Sequence, residues 1–151
     1  MNTVLDELPT IPTCKTELIA AADHYIGRNH HRLYHNPDRK DGSNPIIDGI
    51  ILYADRTAQL QIQAQPEDCH IRISEHYVLN DPCSVGREEI FRKWQYRGKL
   101  DEHSIMLDNP RKPYLQTALL SEGITMKIAC IISVESEIPP NLNPEEPSES
   151  H

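Results

Sequence analysis

The 151-residue sequence has no apolar run long enough to cross a bilayer and no charged start leading into one. That argues against both a membrane span and a signal peptide. It also lacks basic surplus: 15 Lys and Arg stand against 23 Asp and Glu, for a formal net charge of −8. Nucleic acid is thereby set aside as the main partner, because phosphate binding needs concentrated Lys and Arg. The short basic clusters, Arg28 to Arg32 and Arg92 to Lys99, do not change this; the second is interleaved with apolar residues, as a solvated strand or helix face would be. No two of the four cysteines (Cys14, Cys69, Cys83, Cys130) have the two-residue spacing of a zinc knuckle or a redox motif. Reduced thiols in a cytoplasmic protein follow as the expectation, with disulfides left open and no pairing favoured. No repeat is visible along the chain, so solenoids and propellers drop out.

What is present divides into three parts. Residues 1–13 hold Pro9 and Pro12 and no sustained apolar period, and read as a flexible N-terminus. Residues 135–151, ESEIPPNLNPEEPSESH, contain four prolines and five glutamates with almost nothing to bury, and read as a disordered acidic tail. The domain is expected between them, over residues 14–134.

Within it, Thr16 to Ile26 predicts a helix. Leu18, Ala21, Ala22 and Tyr25 form one apolar stripe, with Thr16 as N-cap and Gly27 as stop. His30 to His35 suits a short strand, and the Asn, Asp, Gly and Pro residues between Asn36 and Pro45 predict a loop. Ile46 to Ala54 is a strongly apolar strand, with Gly49 at a bulge or bend. Thr57 to Gln65 carries the clearest signal. Gln59, Gln61, Gln63 and Gln65 alternate with Ala58, Leu60, Ile62 and Ala64, the period of a half-buried strand. Across Asp55-Arg56 the two segments predict a hairpin. Cys69 to Val78 is a further strand segment that begins by alternating, with Cys69, Ile71 and Ile73 on one face and His70, Arg72 and Ser74 on the other. A helical turn at Glu88 to Gln95, strands at Trp94 to Leu100 and His103 to Leu107, and a hairpin of Leu115–Leu120 with Ile124–Val134 complete the pattern. About eight short, sequential strands predict a mainly β fold. The expected form is an antiparallel up-and-down barrel with one N-terminal helix and a short internal one. An α+β open antiparallel sheet is the alternative.

The run from Tyr25 to Gln63 resembles the opening of lipocalin-like (calycin-type) small barrel domains. Gly49, Ile51 and Tyr53 sit where that family has a glycine-led strand, and Asp55-Arg56 sits at its turn. Tyr96 to Leu100 and Leu119 to Ile128 are similar to later strands of the family. Asn29, Arg56 and the Thr117-Ala118 neighbourhood depart from the family pattern. The resemblance implies a barrel pocket for a small ligand, on a fold that also serves cyclases and isomerases of natural-product biosynthesis.

Eight histidines raise the question of a metal. On a strand, however, His31 and His35 share a face about 13 Å apart at roughly 3.3 Å per residue, too far for one ion. No metal or cofactor is expected. Cys69 and His70, as strand neighbours, face opposite ways and cannot act together, and Cys130 in an apolar run reads as core. Tyr34, Tyr53, Tyr77, Trp94 and Tyr96 are the candidate ligand contacts, because a sealed apolar core has no need of polar aromatics on separate strands. His76 and His103 are the candidate proton-transfer groups if the domain is an enzyme. The function expected is the binding of a small hydrophobic or amphipathic metabolite by a monomer or homodimer. A cyclase or isomerase on the same pocket and a non-catalytic accessory protein are the alternatives.

Overall fold

Alternation sorts Thr57–Gln65 as anticipated: Ala58, Leu60, Ile62 and Ala64 are buried, and the glutamines occupy the opposite face. The computed structural model describes residues 14–41, 44–65, 67–110, 114–123 and 129–139, without side-chain environments for 36–45. In chain order the elements are α1 (Lys15–Ile26), β1 (His30–Asp41), β2 (Asn44–Leu52), β3 (Thr57–Gln65), β4 (His70–Leu79), α2 (Cys83–Glu89), β5 (Gln95–Asp101), β6 (Ser104–Asp108), β7 (Leu115–Glu122) and β8 (Cys130–Ile138). All pairings are antiparallel, in one eight-stranded sheet of order β1-β2-β3-β4-β8-β7-β6-β5.

The mainly β class stands, but the sheet is open and does not close into the expected up-and-down barrel. Such a barrel sets every strand beside the next in sequence. Here β4 pairs with β8, and β1 and β5 are left as the edges. The cause lies in α2, which packs on β7 and β8 and carries the chain over them to the far edge. The open-sheet alternative describes the architecture.

Both helices cover the same face. Directly opposite residues in an antiparallel ladder project to one side, and the row Leu33, Gly49, Leu60, Glu75, Val134, Ala118, Leu107, Tyr96 crosses the whole sheet in register. Leu33 and Leu60 pack with Leu18, Ala21, Ala22 and Ile26 of α1. Val134, Ala118 and Leu107 pack with Cys83 of α2 and with Phe91 just beyond it. Gly49 marks no bulge: a Cβ there would collide with the Arg32 carbonyl and the Leu33 side chain, so glycine permits close strand approach.

Two disulfides replace the reduced thiols expected. Cys14, just before α1, is joined to Cys69, just before β4; Cys83, first in α2, is joined to Cys130, first in β8. The sheet thus consists of two equivalent halves, each a helix followed by a four-stranded meander and each stapled from helix start to last strand. An axis through the Ser74–Glu135 pair exchanges β4 with β8, and in register it relates Cys69 to Cys130 and Glu75 to Ser136. This internal repeat exists in three dimensions without visible sequence similarity.

Several local boundaries also move. β1 continues to Asp41, with an irregularity between His35 and Lys40, and β2 starts at Asn44, so the predicted 36–45 loop is largely strand. The β2–β3 ladder ends at Leu52–Thr57, leaving a four-residue link closed by the Tyr53 N–H donating to the Arg56 carbonyl at 2.9 Å. The N-cap of α1 is Cys14 instead of Thr16, while Gly27 stops the helix at φ 61°. The short helix begins at Cys83, not Glu88. Residues 135–138, assigned to the tail, complete β8: Ser136 and Ile138 are buried, Glu135 accepts from Ser74 at 2.6 Å, and Glu137 pairs with Arg72 at 3.2 Å. Residues 140–151 of the expected tail, the N-terminus and the strand start at 124–128 lie outside the described residues.

Candidate functional site

Strand β4 places Ile71, Ile73, Glu75 and Tyr77 on the covered face by simple alternation, so a carboxylate lands in the middle of an apolar row. Glu75 is only 4% exposed. A charge there needs donors, and two phenols provide them. Tyr25, in the last turn of α1, donates its hydroxyl to Oε1 at 3.0 Å, and Tyr53, just past β2, donates its hydroxyl to Oε2. The β2–β3 turn also brings in Arg56. Its guanidinium lies over the rings of Tyr53 and Tyr77, 4.2 and 4.5 Å from their centroids, and its Nη1 pairs with the exposed Asp55 carboxylate at 2.7 Å. The buried Nε of Arg56 has no acceptor.

Burial pushes the Glu75 carboxyl above its usual range, against the opposing pull of the Tyr53 and Tyr25 hydrogen bonds and of the Arg56 and His76 charges. The phenols move the same way. Burial, then the nearby Glu75 charge, raises Tyr25 and Tyr53 well above the ordinary phenol value and Tyr114 to about 12; burial raises Tyr77 as well. All four therefore remain hydroxyl donors at physiological pH.

These groups line a partly open chamber of about 140 Å³, together with Asn29, Ile90, Phe91, Trp94, Asn109, Tyr114, Gln116 and Val134. Its volume is well under the roughly 300–1,000 Å³ of a pocket for a drug-sized ligand. On the other side of Phe91 and Trp94, whose rings meet edge to face at 4.9 Å, runs an open groove of about 910 Å³ between α2 and strands β6 and β7. Arg87, Arg92, His103, Ile105, Leu120 and Glu122 border it. Glu122 also caps α2, its carboxylate accepting the Cys83 N–H at 3.0 Å. Phe91 and Trp94 belong to both spaces.

The candidate residues named from sequence separate accordingly. Tyr53, Tyr77 and Trp94 come together in the chamber. His103 lies in the β5–β6 turn at the groove, its backbone N–H donating to the Asp101 carboxylate at 2.8 Å. His76 is on the opposite, uncovered face with its ring against Ser133 Oγ at 3.0 Å, so the two histidines share no site. Tyr34 is 65% exposed on that same face. Tyr96, on the edge strand β5, borders neither space and carries Arg87 over its ring at 4.8 Å. Glu75, Tyr25, Arg56 and Tyr114 are not among the site candidates named from sequence; Tyr25 and Arg56 enter there only as a helix-stripe and a turn residue. The available signal was Glu75 falling in step with Ile71 and Ile73, a charge at an inward position. Among the described residues no group of three or more His, Cys, Asp and Glu could hold a metal ion. No helix among them is long and apolar enough to cross a membrane.

Comparison of the chain with protein-family models, with curated proteins and with solved structures found no match. The lipocalin-like resemblance therefore rests on the quoted motifs alone.

Proposed function

We propose that this chain binds a small amphipathic molecule, its polar end in the Glu75 chamber and its apolar body along the groove beneath α2. The observation that carries this reading is the Glu75 carboxylate held within an aromatic wall beside open volume. A buried charge costs stability that an aliphatic residue at the same position would not cost, whereas a few placed polar groups among apolar walls are what ligand recognition requires. The shared Phe91–Trp94 border, with Ile105 and Leu120 in the groove, supplies apolar contacts for the ligand's body, among charged neighbours that include Arg87, Glu88, Glu89, Arg92, Glu102 and Glu122. The two disulfides favour maturation in an oxidising compartment over the cytoplasm.

Trp94 is the single tryptophan of the chain, so its emission reports directly on occupancy. A screen of amphipathic metabolites is expected to yield compounds that shift this emission and raise the melting temperature. A ligand at one hundred times its Kd adds about 2.7 kcal/mol of stability. If no compound class does both, an accessory role is left in place of ligand binding.

The raised carboxyl of Glu75 supports a second reading, a proton-transfer enzyme in which Glu75 exchanges a proton with bound substrate while Tyr25 and Tyr53 hold it in position. Turnover of a bound compound that vanishes in Glu75→Gln while binding survives separates this reading from simple binding.

A further inference from the structure

Resting on the chamber as a ligand site, we infer that the group it receives is an organic cation, so that the ligand is a primary-amine or quaternary-ammonium amphiphile. Three observations converge on that chemistry. The acidic group at the centre is Glu75, buried on the covered face with both of its oxygens accepting from phenols, and a bound cation would favour its ionised form. The lining is rich in aromatic rings, with Tyr25, Tyr53, Tyr77, Phe91, Trp94 and Tyr114 around about 140 Å³, and ring faces attract cations. Finally, the protein already places a cation on this surface, since the Arg56 guanidinium rests on two of those rings.

Arg56 does not turn the site toward anions. Its Nη1 is paired with Asp55, and an anion entering the chamber would meet the Glu75 carboxylate. The Nε of Arg56 that lacks an acceptor leaves a place for a ligand oxygen beside the ammonium. Size limits the group further: the chamber suits an ammonium and a few carbons, and a longer body must continue past Phe91 and Trp94 into the groove.

The test uses three probes of matched shape (benzylammonium, benzyl alcohol and benzoate) titrated into the full chain with calorimetry and Trp94 emission as readouts. Benzylammonium is expected to bind at least tenfold more tightly than either of the others, and Glu75→Gln is expected to abolish that preference. Tighter binding of benzoate, or equal binding of the alcohol, overturns the cation assignment while leaving the chamber as a ligand site. Binding of none of the three overturns the chamber reading itself. The comparison of probes on the unmodified protein decides the matter even if the variant fails to fold.

Discussion

The two halves of the sheet share one plan and fill it differently. In the first, α1 has 12 residues and buries Leu18, Ala21, Ala22 and Ile26 against its meander. In the second, α2 has 7 residues and buries Cys83 and Gly86, and the space a longer helix would cover is the open groove. The equivalent inward positions differ in kind as well. Ser136 belongs to a neutral chain in which Asn109 Nδ2 donates to Gln116 Oε1 at 2.9 Å and Gln116 Nε2 donates to Ser136 Oγ at 3.1 Å. Glu75 is a carboxylate under two phenols. A satisfied neutral network holds a core together at little expense, whereas a buried charge beside open volume is unfavourable to folding. Glu75 is the departure from the shared framework on which the proposed ligand site rests.

If the framework is truly duplicated, its two staples must matter alike. They close loops of similar length, with separations of 55 and 47 residues. Chain-entropy arguments give about 4 kcal/mol for each. The paired variants Cys14→Ser/Cys69→Ser and Cys83→Ser/Cys130→Ser should therefore lose nearly equal stability in urea unfolding. A large loss from one pair and none from the other would break the equivalence of the halves.

A smaller effect tests the neutral network. Ser136→Ala removes the acceptor of Gln116 Nε2 in a fully buried setting, and leaving that donor unsatisfied costs about 1–3 kcal/mol. Gln116 also lines the Glu75 chamber, so binding is compared alongside. A wild-type melting temperature in the variant would mean that the Gln116–Ser136 hydrogen bond contributes nothing to the stability of the second half.

How far the sequence disclosed this arrangement depends on the range of the signal. Thr57–Gln65 was readable because burial of one strand face is written at period two, and Gly27 because a helix stop in the left-handed region favours glycine. The β2–β3 hairpin was readable because its partners are adjacent in the chain. The β4–β8 pairing was not: strands some sixty residues apart leave no local mark, and short sequential strands fit a barrel equally well. The disulfides share that difficulty, since each joins residues about fifty apart. Residues 135–138 were hidden by composition, because Glu135 and Glu137 resemble a solvated tail until the inward Ser136 and Ile138 are seen. Glu75 was lost for the opposite reason. A charge in an alternating run reads as the end of the pattern, although here the strand continues through it with Tyr77 on the same face.

The smallest expected effect separates Glu75 from Ser136 most sharply, and it is the pH dependence of stability without ligand. The groups facing the Glu75 carboxylate are Tyr25 from α1, Tyr53 and Arg56 from the β2–β3 turn, Tyr77 on β4 and Tyr114 ahead of β7; Leu60 and Val134 flank it on the neighbouring strands. The tyrosines are all raised and stay neutral, and the Arg56 and His76 charges, the latter on the other face, pull the Glu75 value down without overcoming its burial. Glu75 itself is raised on folding, above the roughly 4.3 of an unfolded glutamate. The folded state then holds its proton more tightly. Stability from this group is fully present below the unfolded value and is lost as pH rises through the folded one. Glu75→Gln carries no such charge, so it should be the more stable protein at neutral pH, and its advantage should shrink toward pH 4. Urea midpoints of the two proteins, compared in steps from pH 4 to 8, measure this directly. An advantage independent of pH, or a variant less stable at neutrality, would mean that the phenol hydrogen bonds outweigh the burial. Glu75 would then be a satisfied structural group like Ser136, and the difference between the halves would no longer point to a ligand.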